Sequence, residues 1–293
     1  MHDFLRAIGF SQVQSKTQED ELLQDVLREP THRELARLTD DVVLAEFRKD
    51  YGPFFGIALR GEFDRNSQFR VQHFYPYLIG SGTTLRESVE IEKHSNLDAY
   101  AGICEDIRIG TTIIFYLQNV IPFFKTHIGL EHPFVPRDVT LTGLAKSGTI
   151  LLPVQKSELQ IQDGRERSAR RMQLIAAARE GDEDAIENLT LAEIDTYTEL
   201  SDRITREDIL SIVDTTFMPS GIESDEYYVI GEIEHVTAAE NKRSGETVYL
   251  MRITTRDVSL DICVSANDLL GEPQKGRRFK GDIWLQGSVA FEQ

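Results

Sequence analysis

Strand-like runs in the first half of this chain follow one another across polar turns too short to hold a helix. Residues 54–63 and 69–78 are separated by Asp64-Arg-Asn-Ser67, and residues 139–144 and 149–154 flank Lys146-Ser-Gly148. Asp, Asn, Ser and Gly close such turns through local hydrogen bonds or left-handed backbone. Parallel neighbours need a crossover of a dozen or more residues, usually a helix, and no such length is available here. Runs at 42–48, 87–92 and 111–117 extend the pattern. Helical spacing is confined to the start, with Leu22, Leu23, Val26 and Leu27 in 19–27, and Leu35 and Leu38 in 33–38. Residues 1–156 are therefore predicted to form an antiparallel-sheet domain with helices, within an α+β chain.

Residues 157–222 carry a different signal, that of a helical connector. Ala169, Met172, Ile175 and Ala176 share a helix face, and Gly181 suits the left-handed position that ends a helix. Asp182 is placed to cap the next helix, and Glu183 and Asp184 favour its positive end. Thr190-Leu-Ala-Glu193 has the form of a capping box with Leu189 and Ile194 as its staple, and Thr205-Arg-Glu-Asp208 repeats the cap. Pro219-Ser-Gly221 is expected to stop the final helix.

Residues 223–293 alternate cleanly. Val258, Leu260, Ile262 and Val264 fall on one strand face, with Ser259, Asp261 and Cys263 on the other. Ile283, Leu285, Val289 and Phe291 repeat the pattern with Gly287 in register. Two earlier strands, 227–236 and 247–254, are joined by Asn241-Lys-Arg-Ser-Gly245, and one helical turn at 266–270 follows the third strand. This order suggests a small β-barrel of the OB type. Four strands are legible where such a barrel takes about five, so a small open sheet is the alternative.

Charge narrows the partners. The chain of 293 residues carries a net −17. Residues 226–293 hold 11 acidic and 8 basic side chains, which leaves 38 acidic against 24 basic elsewhere. A body so negative repels phosphate backbones and anionic membrane surfaces. The most apolar window, 111–124, is interrupted by Gln118, Asn119 and Pro122 and is too short to span a bilayer. The opening residues include Asp3 and Arg6 without the apolar core of a signal peptide. Cys104 and Cys263 stand alone, as in a reducing cytoplasm where cysteine serves as a small buried hydrophobe.

Four segments carry a family resemblance: Met1-His-Asp-Phe-Leu-Arg-Ala-Ile-Gly-Phe10, Gly181-Asp-Glu-Asp-Ala-Ile-Glu-Asn-Leu-Thr190, Phe217-Met-Pro-Ser-Gly221, and the run from Gly271 to Gly287. On these the chain resembles an uncharacterised family of bacterial proteins from Clostridia-type Gram-positive organisms. The resemblance covers the whole chain and implies cytoplasmic bacterial character, with no activity, cofactor or catalytic residue to carry over.

Lys275, Arg277, Arg278 and Lys280, followed by Trp284, form the candidate binding surface, since cations interleaved with an aromatic suit an anionic partner. The competing reading is a solvated hairpin rim with Trp284 packed between two regions. Other constellations read as structure. The acids from Asp182 to Glu193 resemble a calcium loop, but Ile186 and Glu187 occupy the positions of an oxygen ligand and the required Gly. His127 and His132 lack a cysteine pair or an HExxH helix, and His94 with Asp98 is weaker still. Gly80-Ser-Gly82 and Gly143-Leu-Ala-Lys-Ser-Gly148 miss the spacings of a nucleophile elbow and a P-loop. Cys104 sits beside Glu105 and Asp106, which oppose thiolate formation. Phe54, Phe55, Phe74, Tyr75 and Tyr77 read as core, with a ligand groove as the alternative.

No catalytic, cofactor-binding or metal-ligating residue is assigned, and no cofactor is expected. The leading expectation is a non-enzymatic cytoplasmic interaction or regulatory protein with a protein partner or a second copy of itself. One rival is a hydrolase assembled in the N-terminal region from Glu62 or Glu90 with His73 or His94. The other is a nucleic-acid-binding barrel, which the charge disfavours.

Overall fold

The computed structural model describes residues 2–39, 42–64, 66–93, 99–106, 111–127, 138–154, 158–179, 181–189, 191, 214–255 and 258–291. The caps expected at Thr190 with Glu193 and at Thr205 with Asp208 lie outside these residues, as do His94, Asp98 and His132.

A 3₁₀ turn, Asp3–Ile8, buries Phe4, Leu5, Ala7 and Ile8 and ends at Gly9. Gly9 has φ +83°, a left-handed conformation that glycine adopts without strain. Helix α1 (Lys16–Arg28) follows, capped by Ser15 and Gln18 in a reciprocal box. Strands β1 (His32–Arg37), β2 (Val43–Gly52), β3 (Phe55–Phe63) and β4 (Phe69–Leu78) then form an antiparallel sheet in sequence order. The expected helix at 33–38 is corrected to β1. Leu35 and Leu38 fall on opposite faces of the extended chain, Leu35 exposed and Leu38 packed with Ala36 against the core, and pairing with β2 runs from His32↔Arg48 to Arg37↔Val43. In the β3–β4 turn, Asp64 Oδ1 accepts the backbone N–H groups of Asn66 and Gln68.

The larger sheet is mixed. Its strands are β5 (Leu85–Arg86), β6 (Glu90–Lys93), β7 (Tyr100–Asp106), β8 (Thr111–Leu117), β9 (Asp138–Ala145), β10 (Gly148–Leu151), β11 (Thr216–Pro219), β12 (Glu226–Glu240), β13 (Thr247–Thr254), β14 (Ser259–Ser265), β15 (Leu269–Leu270) and β16 (Arg278–Val289). Helix α2 (Val120–His127) follows β8, and α3 (Glu158–Arg179) follows β10. After α3, Gly181 is left-handed and Asp182 Oδ1 accepts the Ala185 N–H, as its capping role requires. Residues 216–219 are strand β11 paired with β12, so the proline expected to end a helix instead ends a strand.

Five strands close a ring: β12 pairs β13, β13 pairs β14, β14 pairs β9, β9 pairs β16, and β16 returns to β12. The stretch 223–293 supplies four of these strands, and β9 from the first stretch supplies the fifth. β9 lies parallel to β14 and antiparallel to β16. Lys146-Ser-Gly148 therefore does not join a hairpin: β9 and β10 both pair with β16, at its two ends. β12 pairs β16 up to Glu232 and β13 from Glu232 onward, with a bulge between Ile233 and His235. A bulge bends its strand and increases local twist, which ring closure needs.

Alternation sorts the two faces. Leu260, Ile262, Val264, Ile253, Val229, Leu141, Ile283 and Leu285 fill one cluster with Phe279. Gly143 lies among them because a Cβ there would sit 2.7 Å from Ile283 Cδ1. Leu144, Val248, Cys263 and Trp284 point the other way, into a second cluster with the 3₁₀ turn, α1, β3 and β4. Burying a side chain of this size stabilises by about 1.5–3 kcal/mol, so both clusters bind the four-stranded sheet and the ring into one structure. Among the described residues, no helix is long and apolar enough to cross a membrane.

Candidate functional site

Where the two sheets meet, the fold buries charge. Arg60, 1% exposed, donates from Nε and Nη2 to Glu46 Oε2 at 2.9 and 2.7 Å. Arg48 Nε donates to Glu46 Oε1 at 2.7 Å, and both arginines donate to the Gln118 carbonyl at 3.1 Å. Burial pulls the Glu46 carboxyl upward, but Arg60 and Arg48 outweigh it and hold Glu46 below its usual range. Gln118 continues the seam by donating to Leu78 O and Gln286 Oε1, and Gln286 donates to Pro76 O. Tyr75 and Tyr116 border the same group, with ring centroids 4.7 Å apart. Arg60 Nη1 lies 3.5 Å from the Tyr116 hydroxyl.

On the other side of Tyr116 opens a cleft of about 270 Å³. Its walls come from distant parts of the chain: His2 and Phe4 from the N-terminal turn, His73 from β4, Tyr100 from β7, Tyr116 from β8, Asp225 and Glu226 at the start of β12, and Trp284 from β16. Trp284 is the hub. Its ring lies 5.4 Å from Phe4, 5.0 Å from His2 and 5.0 Å from Tyr116, and its Nε1–H donates to Asp225 Oδ2 at 2.7 Å. His73 lies 5.8 Å from Tyr116 and 6.0 Å from Tyr75. Burial, assisted by His73, pushes His2 down to about 4, so its imidazole is neutral at pH 7. His2 Nδ1 is buried with no hydrogen-bond partner.

The residues singled out in sequence are dispersed. Arg278 and Trp284 are buried, at 5% and 7% exposure, whereas Lys275 is exposed and Arg277 and Lys280 are half-buried. Arg278 donates to the Leu152 carbonyl and Arg277 to the Glu272 carbonyl. Of that set only Trp284 lines the cleft, and its flanking cations do not. His73 is brought into the cleft without Glu62 or Glu90: Glu62 pairs in register with Arg70, and Glu90 is exposed on β6. Ser81 straps its turn to the ring by donating from N and Oγ to Asp261 Oδ2 at 2.7 and 2.8 Å. Phe55, Tyr75 and Tyr77 are core, and Phe54 is exposed. Cys104 and Cys263 are buried, and burial pushes the Cys263 thiol up. Among the described residues, no group of three or more His, Cys, Asp or Glu is placed to hold a metal ion.

Sequence reasoning missed His2, Phe4, Tyr100, Tyr116 and Asp225. One signal was available: Trp284 falls on the strand face shared with Lys280, Asp282 and Gln286, opposite Ile283 and Leu285. A large aromatic on a polar face needs a partner surface, and the cleft supplies it.

Residues 5–287 match a family described as a domain of unknown function, E. rectale gene description (DUF3881). The chain belongs to this family. The DUF3881 match runs from within the 3₁₀ turn to Gly287 of β16, so it takes in both sheets and the cleft residues His73, Tyr116, Asp225 and Trp284. His2 and Phe4 precede it. Searches of curated proteins and of solved structures each return no match.

Proposed function

We propose that this protein is a non-enzymatic, cytoplasmic regulatory protein that binds a small molecule in the aromatic cleft. The observation that carries this reading is the contrast inside one buried region. His2 Nδ1 is left without a partner at the cleft wall, while the Glu46–Arg60 group beside it is densely hydrogen-bonded. A concave, mostly aromatic site with a few convergent polar groups is the usual form of a ligand pocket. Among the described residues, the lining offers no serine, threonine or cysteine to the two imidazoles. The aromatic share of that lining supports the binding reading over the hydrolase alternative.

The five-strand ring is read as an OB-type barrel whose fifth strand is β9. The closed ring and the single 3₁₀ turn, Ala266–Asp268, after its third strand support this. OB folds bind nucleic acid on the face of their second and third strands. Here the corresponding residues Val248, Leu250 and Cys263 pack in one cluster with Phe4, Leu5 and Ile8 of the N-terminal turn. That packing and the net −17 argue against a nucleic-acid ligand. A protein partner or second copy is compatible with a regulatory role.

Trp284 is the single tryptophan of the chain, so its fluorescence reports the cleft directly. Titration with a library of small aromatic fragments is expected to shift its emission and to raise the melting temperature by mass action. A library that moves neither signal overturns the reading.

A further inference from the structure

We infer that the cleft selects an ammonium ligand: a cationic amine carried on a small aromatic or apolar body. This rests on the reading of the cleft as a ligand site and adds the chemical class. Among the described residues, the lining contains two carboxylates, Asp225 and Glu226, and no lysine or arginine. Phe4 and Tyr116 gather around Trp284, with ring centroids 5.4 and 5.0 Å from it, and aromatic faces attract a cation through their quadrupole.

The rim already holds one such group. Lys146 Nζ lies 4.3 Å from the centroid of Phe4 and 3.8 Å from carboxylate oxygens of both Asp3 and Glu226. An ammonium between a ring face and two carboxylates is thus an arrangement this wall accommodates. An alcohol has no charge to offer this wall, and a carboxylate meets Asp225 and Glu226. A cleft of about 270 Å³ is at the small end for ligand sites, which limits the body to something near a single ring.

The test uses the full chain with three probes of one shape: benzylammonium, benzyl alcohol and benzoate, followed by Trp284 fluorescence and calorimetry. Benzylammonium is expected to bind about tenfold more tightly than benzyl alcohol, with benzoate weakest. Asp225→Asn should cost benzylammonium about tenfold and leave benzyl alcohol unchanged. Should that variant fail to fold, Glu226→Gln on the rim is expected to act in the same direction by a smaller factor. Equal or tighter binding of the alcohol or of benzoate overturns the ammonium inference and leaves the cleft as a ligand site. The ammonium inference is likewise overturned if none of the three binds while the fragment library does shift the fluorescence. Silence from both the probes and the library removes the ammonium inference and the binding reading together.

Discussion

On one side of Tyr116 lies the Glu46–Arg60–Arg48 seam, and on the other lies the cleft, both between the four-stranded sheet and the ring. The seam is full: Glu46 accepts from Arg60 Nε and Nη2 on one oxygen and from Arg48 Nε on the other, and the Gln118 carbonyl takes donors from both arginines. The cleft holds aromatic walls, two carboxylates and a buried nitrogen with no partner. Both regions interrupt an apolar interface, but only the seam satisfies its polar atoms internally. A buried polar group left unpaired costs free energy that a fold normally avoids.

The strongest way to break this comparison is Glu46→Ala. It leaves the buried Arg60 guanidinium and the partly exposed Arg48 guanidinium without their carboxylate, and losing one partner of a buried ionic group typically costs about 3–5 kcal/mol. Urea denaturation should show that loss. A change under about 1 kcal/mol, on the order of an exposed pair, would mean the seam is solvated and differs little from the cleft.

Acid should separate the regions next. The His2 pKa is lowered in the fold from 6.5 to about 4, so the unfolded chain takes up the proton first. Stability is then complete above pH 6.5 and falls as pH drops toward 4, by up to about 3 kcal/mol. Glu46 is also held below its usual range, so its contribution is lost at lower pH, below 4.5. His2→Phe is expected to abolish the upper limb and keep the lower one. Retention of the upper limb in that variant would detach it from the cleft.

Trp284→Phe tests how firmly the hub is tied. It removes the indole donor to Asp225 while keeping a ring, and hydrogen bonds to charged groups contribute about 2 kcal/mol. A thermal melt of this variant should show that deficit, and it should also bind benzylammonium less tightly. Ser15→Ala gives the smallest effect, about 1 kcal/mol from the α1 capping box, which lies in neither region. Its ligand affinity should match that of the unaltered protein. An altered affinity would show that stability, and not the cleft, sets the binding signal.

Much of the local structure was legible. The runs at β3, β4, β8, β9, β13 and β14, the polar turns, and the Gly181 and Asp182 caps follow from alternation and short-range hydrogen bonding. The segment 33–38 misled because Leu35 and Leu38 have helical spacing, whereas Leu35 is an exposed outer-face residue and pairing with β2 makes the segment a strand. The basic cluster misled for a related reason: alternation along β16 gives the face of Arg278 and Trp284 but not what covers that face.

The sequence by itself determined the β3–β4 hairpin, the four C-terminal strands and their inward faces, because these depend on neighbours a few residues away. Only the tertiary structure decided that β9 closes the ring, that Arg60 and Arg48 reach the Gln118 carbonyl of the other sheet, and that His2, Tyr116, Asp225 and Trp284 share one cleft. Most of those contacts join residues tens to hundreds of positions apart. No period or spacing encodes them, because they arise when two apolar faces must be buried against each other and carry their polar exceptions with them.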